Sequence, residues 1–206
     1  PHKFPKTLAK EALETTYDYL VHHHITSFLV SGTLLGAIRE KDFLAHDYDI
    51  DLGVFDNEVS INQLQELFEN NTNFTIAAYD TPYLIKLKYK NQVPIDIFIH
   101  FEDGNTYWHG SSYHRWENEK FTLQEMDFLA KKYLVPTDFD KYLTENYGNW
   151  RVPKVNFDCF YDTPNVKQQC THEGTIFLLK QCLYSYHKGQ FNRFICFKER
   201  LHAIFK

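Results

Sequence analysis

Hydrophobic positions recur along the chain with two different periods, which predict a succession of helices and strands. Apolar residues spaced by three and four predict amphipathic helices over 6–24 and 57–70. Short apolar runs predict buried strands at 26–30 and 50–55, separated by a helix over 33–40. This order of elements is typical of a mixed α+β domain.

Alternation with period two predicts three further strands, over 73–79, 83–90 and 93–100. The short connection Asn91-Gln92 predicts a hairpin between the last two of them. Residues 126–135 predict another strand pair. These strands favour a mixed central sheet flanked by helices.

The remaining segments carry weaker patterns. Residues 102–120 are polar and aromatic without a clear period, so no element is predicted there. A helix is predicted over 138–146, with its first residue as N-cap and Gly148 at its end. We predict that 149–170 is irregular and that the chain forms one or two helices from Thr171 onward.

Composition and charge narrow the class of protein. The chain has 206 residues, of which 43% are hydrophobic, and we divide it into a catalytic domain over 1–155 and an irregular and helical extension over 156–206. The net charge of −5 argues against a nucleic-acid-binding surface. The four cysteines form no CxxC pair, which favours a reducing compartment over a disulfide framework or a standard zinc site. The chain begins at Pro1 rather than Met, so we expect it to be a domain of a longer protein.

Asp49 and Asp51 stand two residues apart at the start of a predicted strand. Side chains alternate across a strand, so both carboxylates face the same side while Ile50 and Leu52 face the core. Two carboxylates that close repel unless a cation lies between them, and hard oxygen ligands suit Mg²⁺ or Mn²⁺. The alternative is a solvated strand end that caps a turn.

Two further features strengthen the metal hypothesis. Ser31-Gly32-Thr33 lies between a predicted strand and a helix start, where a close backbone and free N–H groups suit a phosphate. Asp96 interrupts the apolar run 93–99, and an ionised carboxylate is costly there without a partner. If this strand lies beside 50–55, three carboxylates converge and suit displacement at phosphorus. The alternatives are a plain strand–helix turn and a surface aspartate on an edge strand.

The run 31–55 resembles the signature of the LicD/fukutin family, and later motifs follow in the family's order over about residues 25–155. The resemblance implies an enzyme with the nucleotidyltransferase fold that transfers a phosphoryl-alcohol from a CDP-activated donor to a glycan. The chain departs from many relatives at His46-Asp47-Tyr48, where it has one acidic residue fewer. Two roles are open for Asp47: it supports the site through hydrogen bonds, or it caps the loop. The matching positions are Gly32 to Gly36, Arg39, Asp49 to Asp51, Ile95 to Phe98, Val135-Pro136, Tyr147 to Trp150, and Pro153.

The resemblance and the residue chemistry together predict a site. Asp49, Asp51 and Asp96 are the predicted catalytic residues and metal ligands, and Asp96 is also expected to accept the proton of the attacking hydroxyl. The predicted donor-binding residues are Gly32, Thr33, Arg39 and Lys86. Arg39 has an alternative as a salt bridge with Glu40 or Asp42, and Lys86 has one on a solvated strand face.

The predicted function is metal-dependent transfer of ribitol, glycerol or choline phosphate from a CDP-linked donor to a glycan or lipid-linked oligosaccharide, in cell-surface polysaccharide or capsule biosynthesis. One alternative is a nucleotidyltransferase that moves NMP and releases pyrophosphate, and another is a non-catalytic binding module of the same fold. The aromatic segment 107–116, with His109 and His114, is either an acceptor platform or a cover for the sheet. We expect a cytoplasmic protein, or one in the Golgi lumen if it is eukaryotic. Peripheral membrane contact through the basic segment 176–206 is an alternative to packing on the domain.

Overall fold

The computed structural model describes residues 5–204, which form six α-helices and ten β-strands. Residues 1–4 and 205–206, at the outer ends of the two predicted domains, lie outside the described residues. The helices are α1 (Lys6–His22), α2 (Ser31–Arg39), α3 (Ile61–Glu69), α4 (Phe139–Tyr147), α5 (His172–His187) and α6 (Phe191–Ile204). The strands are β1 (Phe28–Leu29), β2 (Ile50–Phe55), β3 (Phe74–Asp80), β4 (Leu84–Tyr89), β5 (Val93–Asp103), β6 (Thr106–Gly110), β7 (His114–Glu119), β8 (Leu123–Phe128), β9 (Lys131–Pro136) and β10 (Val166–Gln168).

One mixed sheet passes through the described part of the chain in the order β10-β7-β6-β5-β2-β1-β9-β8. The β3–β4 hairpin joins it through β4, which pairs with β5. The β2–β5 and β1–β9 pairs are parallel, and the other pairs are antiparallel. The predicted mixed sheet with flanking helices and a helical C-terminal segment is therefore confirmed.

The central strands β2 and β5 present apolar side chains on one face and the aspartates on the other. Their core-facing side chains have at most 1% of their surface exposed, and burying each such aliphatic side chain contributes about 1.5–3 kcal/mol. Alternation sends the intervening residues, including Asp51 and Asp96, to the opposite face. The core-facing set is Ile50, Leu52, Val54, Ile95, Ile97 and Ile99.

Two predicted helix starts are wrong by a few residues, for identifiable reasons. The helix predicted over 57–70 begins at Ile61, because Ser60 and Gln63 form a capping box there. The helix predicted over 33–40 begins at Ser31, so Gly32 lies within its first turn instead of ending a strand. The start of α4 is as predicted, with the Asp138 carboxylate accepting a hydrogen bond from the Lys141 N–H.

The segment 102–120, for which the sequence pattern predicted no element, contains strands in the structure. β5 continues to Asp103, and the chain then forms the antiparallel strands β6 and β7. Buried positions of this hairpin are filled by His109, His114 and Asn118, so polar residues at core positions hide the alternation. The region 149–170 also contains a strand, β10, which pairs with β7.

The C-terminal helices pack around a small core of their own. Leu178, Cys182 and Phe197 form this buried cluster, separate from the main hydrophobic core. β10, from the same predicted extension, adds a strand to the sheet. The division at residue 155 stays a prediction. Among the helices of residues 5–204, none combines the length and apolar character needed to cross a bilayer.

Candidate active site

A cleft of about 1010 Å³ opens on the polar face of the central strands. It brings together the start of α2, the loop before β2, the end of α4 and the β6–β7 hairpin. Its wall also includes residues of the predicted C-terminal extension, so the cleft is built from both predicted parts of the chain. Residues that line it include Ser31, Gly32, Arg39, Asp47, Asp49, Asp51, Phe98, His109, Trp116, Tyr147, Asn149, Trp150, Pro153, Phe157 and Cys159.

The strand register places two of the predicted aspartates side by side. Asp51 on β2 is the direct neighbour of Asp96 on β5 in the parallel pair. Both are buried, with 8% and 6% of their surface exposed. The expectation that the strand carrying Asp96 lies beside the strand carrying Asp51 is thus confirmed, while the catalytic role of either residue stays a prediction.

Asp47 joins Asp49 and Asp51 in a compact carboxylate group. One oxygen from each of the three lies within 4.8 Å of the others. Asp47 also caps its loop, since its Oδ1 accepts a hydrogen bond from the Tyr48 N–H at 3.2 Å. Strand alternation gave no reason to include Asp47, because the residues before Ile50 are not in a strand. The spacing of two residues between successive aspartates is the signal that sequence reasoning left unused.

Two glycines on one face of α2 allow the carboxylate loop to approach. A Cβ at Gly32 would lie 2.4 Å from Asp47 Oδ2, and a Cβ at Gly36 would lie 2.7 Å from the Asp42 carbonyl oxygen. The Gly32 N–H also donates a hydrogen bond of 2.9 Å to Asp51 Oδ2. The spacing of four residues puts both glycines on the side of the helix that faces the loop.

Asp96 lies next to the carboxylate group but has its own cationic partner. Lys86, its direct neighbour across the antiparallel β4–β5 pair, forms an ion pair with Asp96 Oδ2. Lys86 is not among the residues that line the cleft. In the described structure it therefore neutralises Asp96 rather than reaching toward a donor diphosphate, and its predicted role in donor binding stays untested.

The group of three aspartates is short of positive charge. Burial and the neighbouring Asp47 carboxylate raise the pKa of Asp49 to about 7. Burial, followed by the charges of Asp49 and Asp47, holds the pKa of Asp51 well above its usual value, and burial also raises that of Asp47. Two like charges at such a separation cost roughly 3–4 kcal/mol at an effective dielectric constant of 20. A hard divalent cation offsets this repulsion, so the donor set fits Mg²⁺ or Mn²⁺.

Thr33 and Arg39 take part in contacts that hold the site together. The buried Thr33 hydroxyl accepts a hydrogen bond of 2.8 Å from the Asp51 N–H, which ties β2 to α2. Arg39 lines the cleft and donates from Nη1 to the Trp150 carbonyl at 3.0 Å. Its Nε also pairs with Glu40 at 2.8 Å, which was the alternative considered for it. Their predicted contacts with a phosphate stay predictions.

Known proteins match this chain in sequence and in shape. The ribitol-5-phosphate transferase FKTN of Mus musculus is 27% identical over 168 residues, covering 77% of this chain and 36% of that protein. The Homo sapiens protein of the same name is 26% identical over 179 residues, with the same two shares. The chain thus spans about a third of the length of these curated relatives. A solution structure of the antibiotic-resistance factor ANT(2'')-Ia shares the fold, with a TM-score of 0.52, 12% identity, and coverage of 97% of this chain and 96% of that chain.

The family described as LicD/FKTN/FKRP, nucleotidyltransferase domain, matches residues 24–138, more than half of the chain. The matched range holds the glycine-rich start of α2, Arg39, the aspartate group and Asp96. The resemblance noted from these motifs, and the nucleotidyltransferase fold it implied, are confirmed. From its sequence motifs, its fold and this match, the chain belongs to the LicD/FKTN/FKRP family.

Proposed function

We propose that this chain transfers a phosphoryl-alcohol (ribitol, glycerol or choline phosphate) from a CDP-linked donor to a glycan hydroxyl and releases CMP. The observation that carries the proposal is the group of Asp47, Asp49 and Asp51 in a cleft large enough for such a donor. Family membership supports it, since curated relatives are named ribitol-5-phosphate transferases.

Asp47, Asp49 and Asp51 would hold a Mg²⁺ or Mn²⁺ ion in this reaction. Bound there, the ion supplies positive charge that offsets the negative charge of the donor diphosphate. The three carboxylates suit this role because they are close together and partly buried, and because none of them forms an ion pair with a cationic side chain among residues 5–204.

The chain's own residues have distinct tasks. The acceptor oxygen forms a bond to the phosphorus that carries the alcohol, while the bond from this phosphorus to the bridging oxygen breaks and CMP leaves. We assign Asp96 to receive the hydroxyl proton, because it lies beside Asp51 and burial raises its pKa. Arg39 uses two of its five N–H groups within the protein and has others for phosphate oxygens. Thr33 keeps Asp51 in place.

The proposed setting is the synthesis of cell-surface polysaccharide or capsule, with a glycan or lipid-linked oligosaccharide as the acceptor. A cytoplasmic protein at the inner face of the membrane suits a bacterial source, and the Golgi lumen suits a eukaryotic one. Curated relatives come from both kinds of organism, including Mus musculus and Rickettsia prowazekii.

The test is incubation of the purified protein with CDP-ribitol, CDP-glycerol and CDP-choline in the presence of Mg²⁺ or Mn²⁺, with CMP release as the readout. We expect one donor to be turned over, and EDTA to stop the reaction. Asp51→Asn should lower the rate at least about 100-fold, because it removes a proposed ligand of the ion. Asp127→Asn, an exposed aspartate on β8, is the matched control and should leave the rate unchanged.

Two outcomes would overturn the proposal. Release of pyrophosphate from CTP, without turnover of any CDP-alcohol, would indicate nucleotidyl transfer. Absence of binding and turnover for every CDP-alcohol, with Asp51→Asn indistinguishable from wild type in biological output, would favour a non-catalytic module.

A further inference from the structure

Three histidines lie buried on β5, β6 and β7, where the proposed reaction does not use them. His100, His109 and His114 have 1%, 2% and 5% of their surface exposed. Burial lowers the pKa of His100 to about 4 and that of His114 to about 3, and it holds the pKa of His109 well below its usual value. All three are therefore neutral at pH 7, and each offers one N–H donor and one acceptor nitrogen.

His109 differs from the other two in its hydrogen bonding and its position. His100 Nδ1 contacts the Phe98 carbonyl at 3.3 Å, and His114 Nδ1 contacts Ser111 Oγ at 3.3 Å. Within residues 5–204, His109 Nδ1 is buried without a partner and no hydrogen bond is made at His109 Nε2, whereas His100 and His114 each lack a partner only at Nε2. His109 is also the member of the three that lines the cleft. A buried polar group left unpaired is unfavourable unless a ligand or water satisfies it.

The sheet register places His109 on the same face of the sheet as Asp96. Phe98 follows Asp96 on the same face of β5, about 7 Å further along the strand. The His109 ring lies edge-on to Phe98 with 5.2 Å between centroids, and it stacks on His100 at 4.5 Å. The β5–β6 register therefore puts His109 beside His100, two steps of the strand alternation beyond Asp96, and its ring contacts Phe98, which is one step beyond Asp96.

Aromatic rings complete this part of the cleft wall. The Trp116 ring lies 5.3 Å from that of His109, and its indole N–H donates to the Cys159 carbonyl at 3.4 Å, which holds the ring in place. The wall of Phe98, His109 and Trp116 carries no formal charge, in contrast to the aspartates and Arg39 elsewhere in the cleft. Aromatic faces with one precisely placed polar group suit a neutral polyhydroxylated ligand rather than a diphosphate.

We propose that Phe98, His109 and Trp116 form the subsite for the acceptor sugar, and that His109 hydrogen-bonds to one of its hydroxyl groups. This inference rests on the proposed function, because the position of the acceptor follows from the role assigned to Asp96. It identifies the acceptor end of the cleft as uncharged and aromatic, and it makes His109 a determinant of acceptor choice.

The test compares His109→Phe with His114→Phe. Phenylalanine keeps an aromatic ring beside His100 and Trp116, one atom larger, and removes both ring nitrogens. His114 is a matched control because it is equally buried and also packs on Trp116, at 4.3 Å, but does not line the cleft. Transfer from the active CDP-alcohol is measured with methyl glycosides of glucose, galactose, N-acetylglucosamine and N-acetylgalactosamine. Donor hydrolysis without an acceptor is measured in parallel.

We expect His109→Phe to lower kcat/KM for the best glycoside roughly 10- to 100-fold, with donor affinity and hydrolysis unchanged. His114→Phe should leave both activities close to wild type. In the wild-type protein labelled with ¹⁵N-histidine, the same glycoside should shift the His109 ring resonances.

Three results would overturn the subsite. One is equal transfer by both variants, and another is a rise in donor KM in His109→Phe, which would place the donor against this wall. The third is a wild type that hydrolyses the donor but neither uses nor binds any glycoside at His109. Failure of the proposed function has a different signature, because the wild-type protein would then neither bind nor hydrolyse a CDP-alcohol.

Discussion

At the scale of single residues, the aspartates of the site are partly or fully buried and lie close enough to repel one another when they are ionised. Asp49 and Asp51 lie partly or wholly out of water beside Asp47, and Lys86 is already paired with Asp96. The raised pKa values of the three aspartates record the cost of ionising them together. A cation would therefore stabilise the fold as well as serve the proposed reaction.

Asp49→Asn should change the pH dependence of stability in the metal-free protein. The pKa of the Asp49 carboxyl is about 7 in the folded protein, against an ordinary value of 3.8 that applies to the unfolded chain. The stability that protonated Asp49 contributes is therefore complete below about pH 4 and is lost as the pH rises through 7. The variant does not undergo this loss. Urea unfolding in EDTA should show that the free energy of unfolding of Asp49→Asn rises relative to that of the wild type between pH 5 and pH 8.

The exposed Asp127→Asn is the control, and its difference from wild type should not vary over this range. A variant that loses stability relative to wild type toward pH 8 would contradict the repulsion between these carboxylates. Adding Mn²⁺ at pH 8 should stabilise the wild type more than Asp49→Asn, because only the wild type retains all three ligands.

At the scale of elements, the sequence predicts the strands that show clear alternation and the helices that begin at a capping residue. Asp96 was recognisable because a carboxylate interrupts an apolar strand, and α4 because Asp138 caps it. Asp47 lies in the loop before β2, where strand alternation does not apply, so its two-residue spacing from Asp49 is the signal that points to it. The direction of the Thr33 hydroxyl, toward the Asp51 N–H rather than the cleft, depends on how α2 packs against β2. Such tertiary contacts cannot be derived from local spacing.

Gly32→Ala should weaken metal binding without unfolding the protein. The added Cβ would lie 2.4 Å from Asp47 Oδ2, so the Asp47 carboxylate must shift from its position in the aspartate group. Changes that displace a ligand without removing it commonly cost about 10- to 100-fold in metal affinity. Calorimetric titration with Mn²⁺ measures this loss.

Gly104→Ala provides the comparison for this substitution. Gly104 has a φ of +57°, and an added Cβ there would meet no atom within 4 Å, so alanine costs about 1 kcal/mol of backbone strain. The Mn²⁺ affinity of this variant should equal that of wild type. Equal affinities for both glycine variants would show that Asp47 is not part of the metal site.

At the scale of the whole molecule, residues 5–204 contain two hydrophobic cores of very different size. The main core underlies the sheet, and the smaller one holds α5 and α6 together. The sequence predicted the C-terminal helices from their apolar residues, but their separate core depends on which faces meet in space. The same limit applies to the cleft, whose wall includes Phe157 and Cys159 from beyond the predicted boundary.

Phe197→Ala should destabilise the C-terminal helices selectively. Phe197 is 1% exposed, and removing a buried phenylalanine side chain typically costs about 3–5 kcal/mol. Hydrogen exchange should show faster exchange in α5 and α6 while the amides of β2 and β5 keep their protection. Ile195→Ala, in the same helix but 49% exposed, should have little effect. Loss of protection throughout the sheet in Phe197→Ala would mean that the two cores unfold as one unit.

β5 carries Asp96, Phe98 and His100 on one face and in a single register with β2. Inserting or deleting one residue ahead of them would turn all three toward the apolar core at once. The residue proposed to receive the proton and part of the proposed acceptor wall therefore share one register, so a slip of this strand would remove both at the same time.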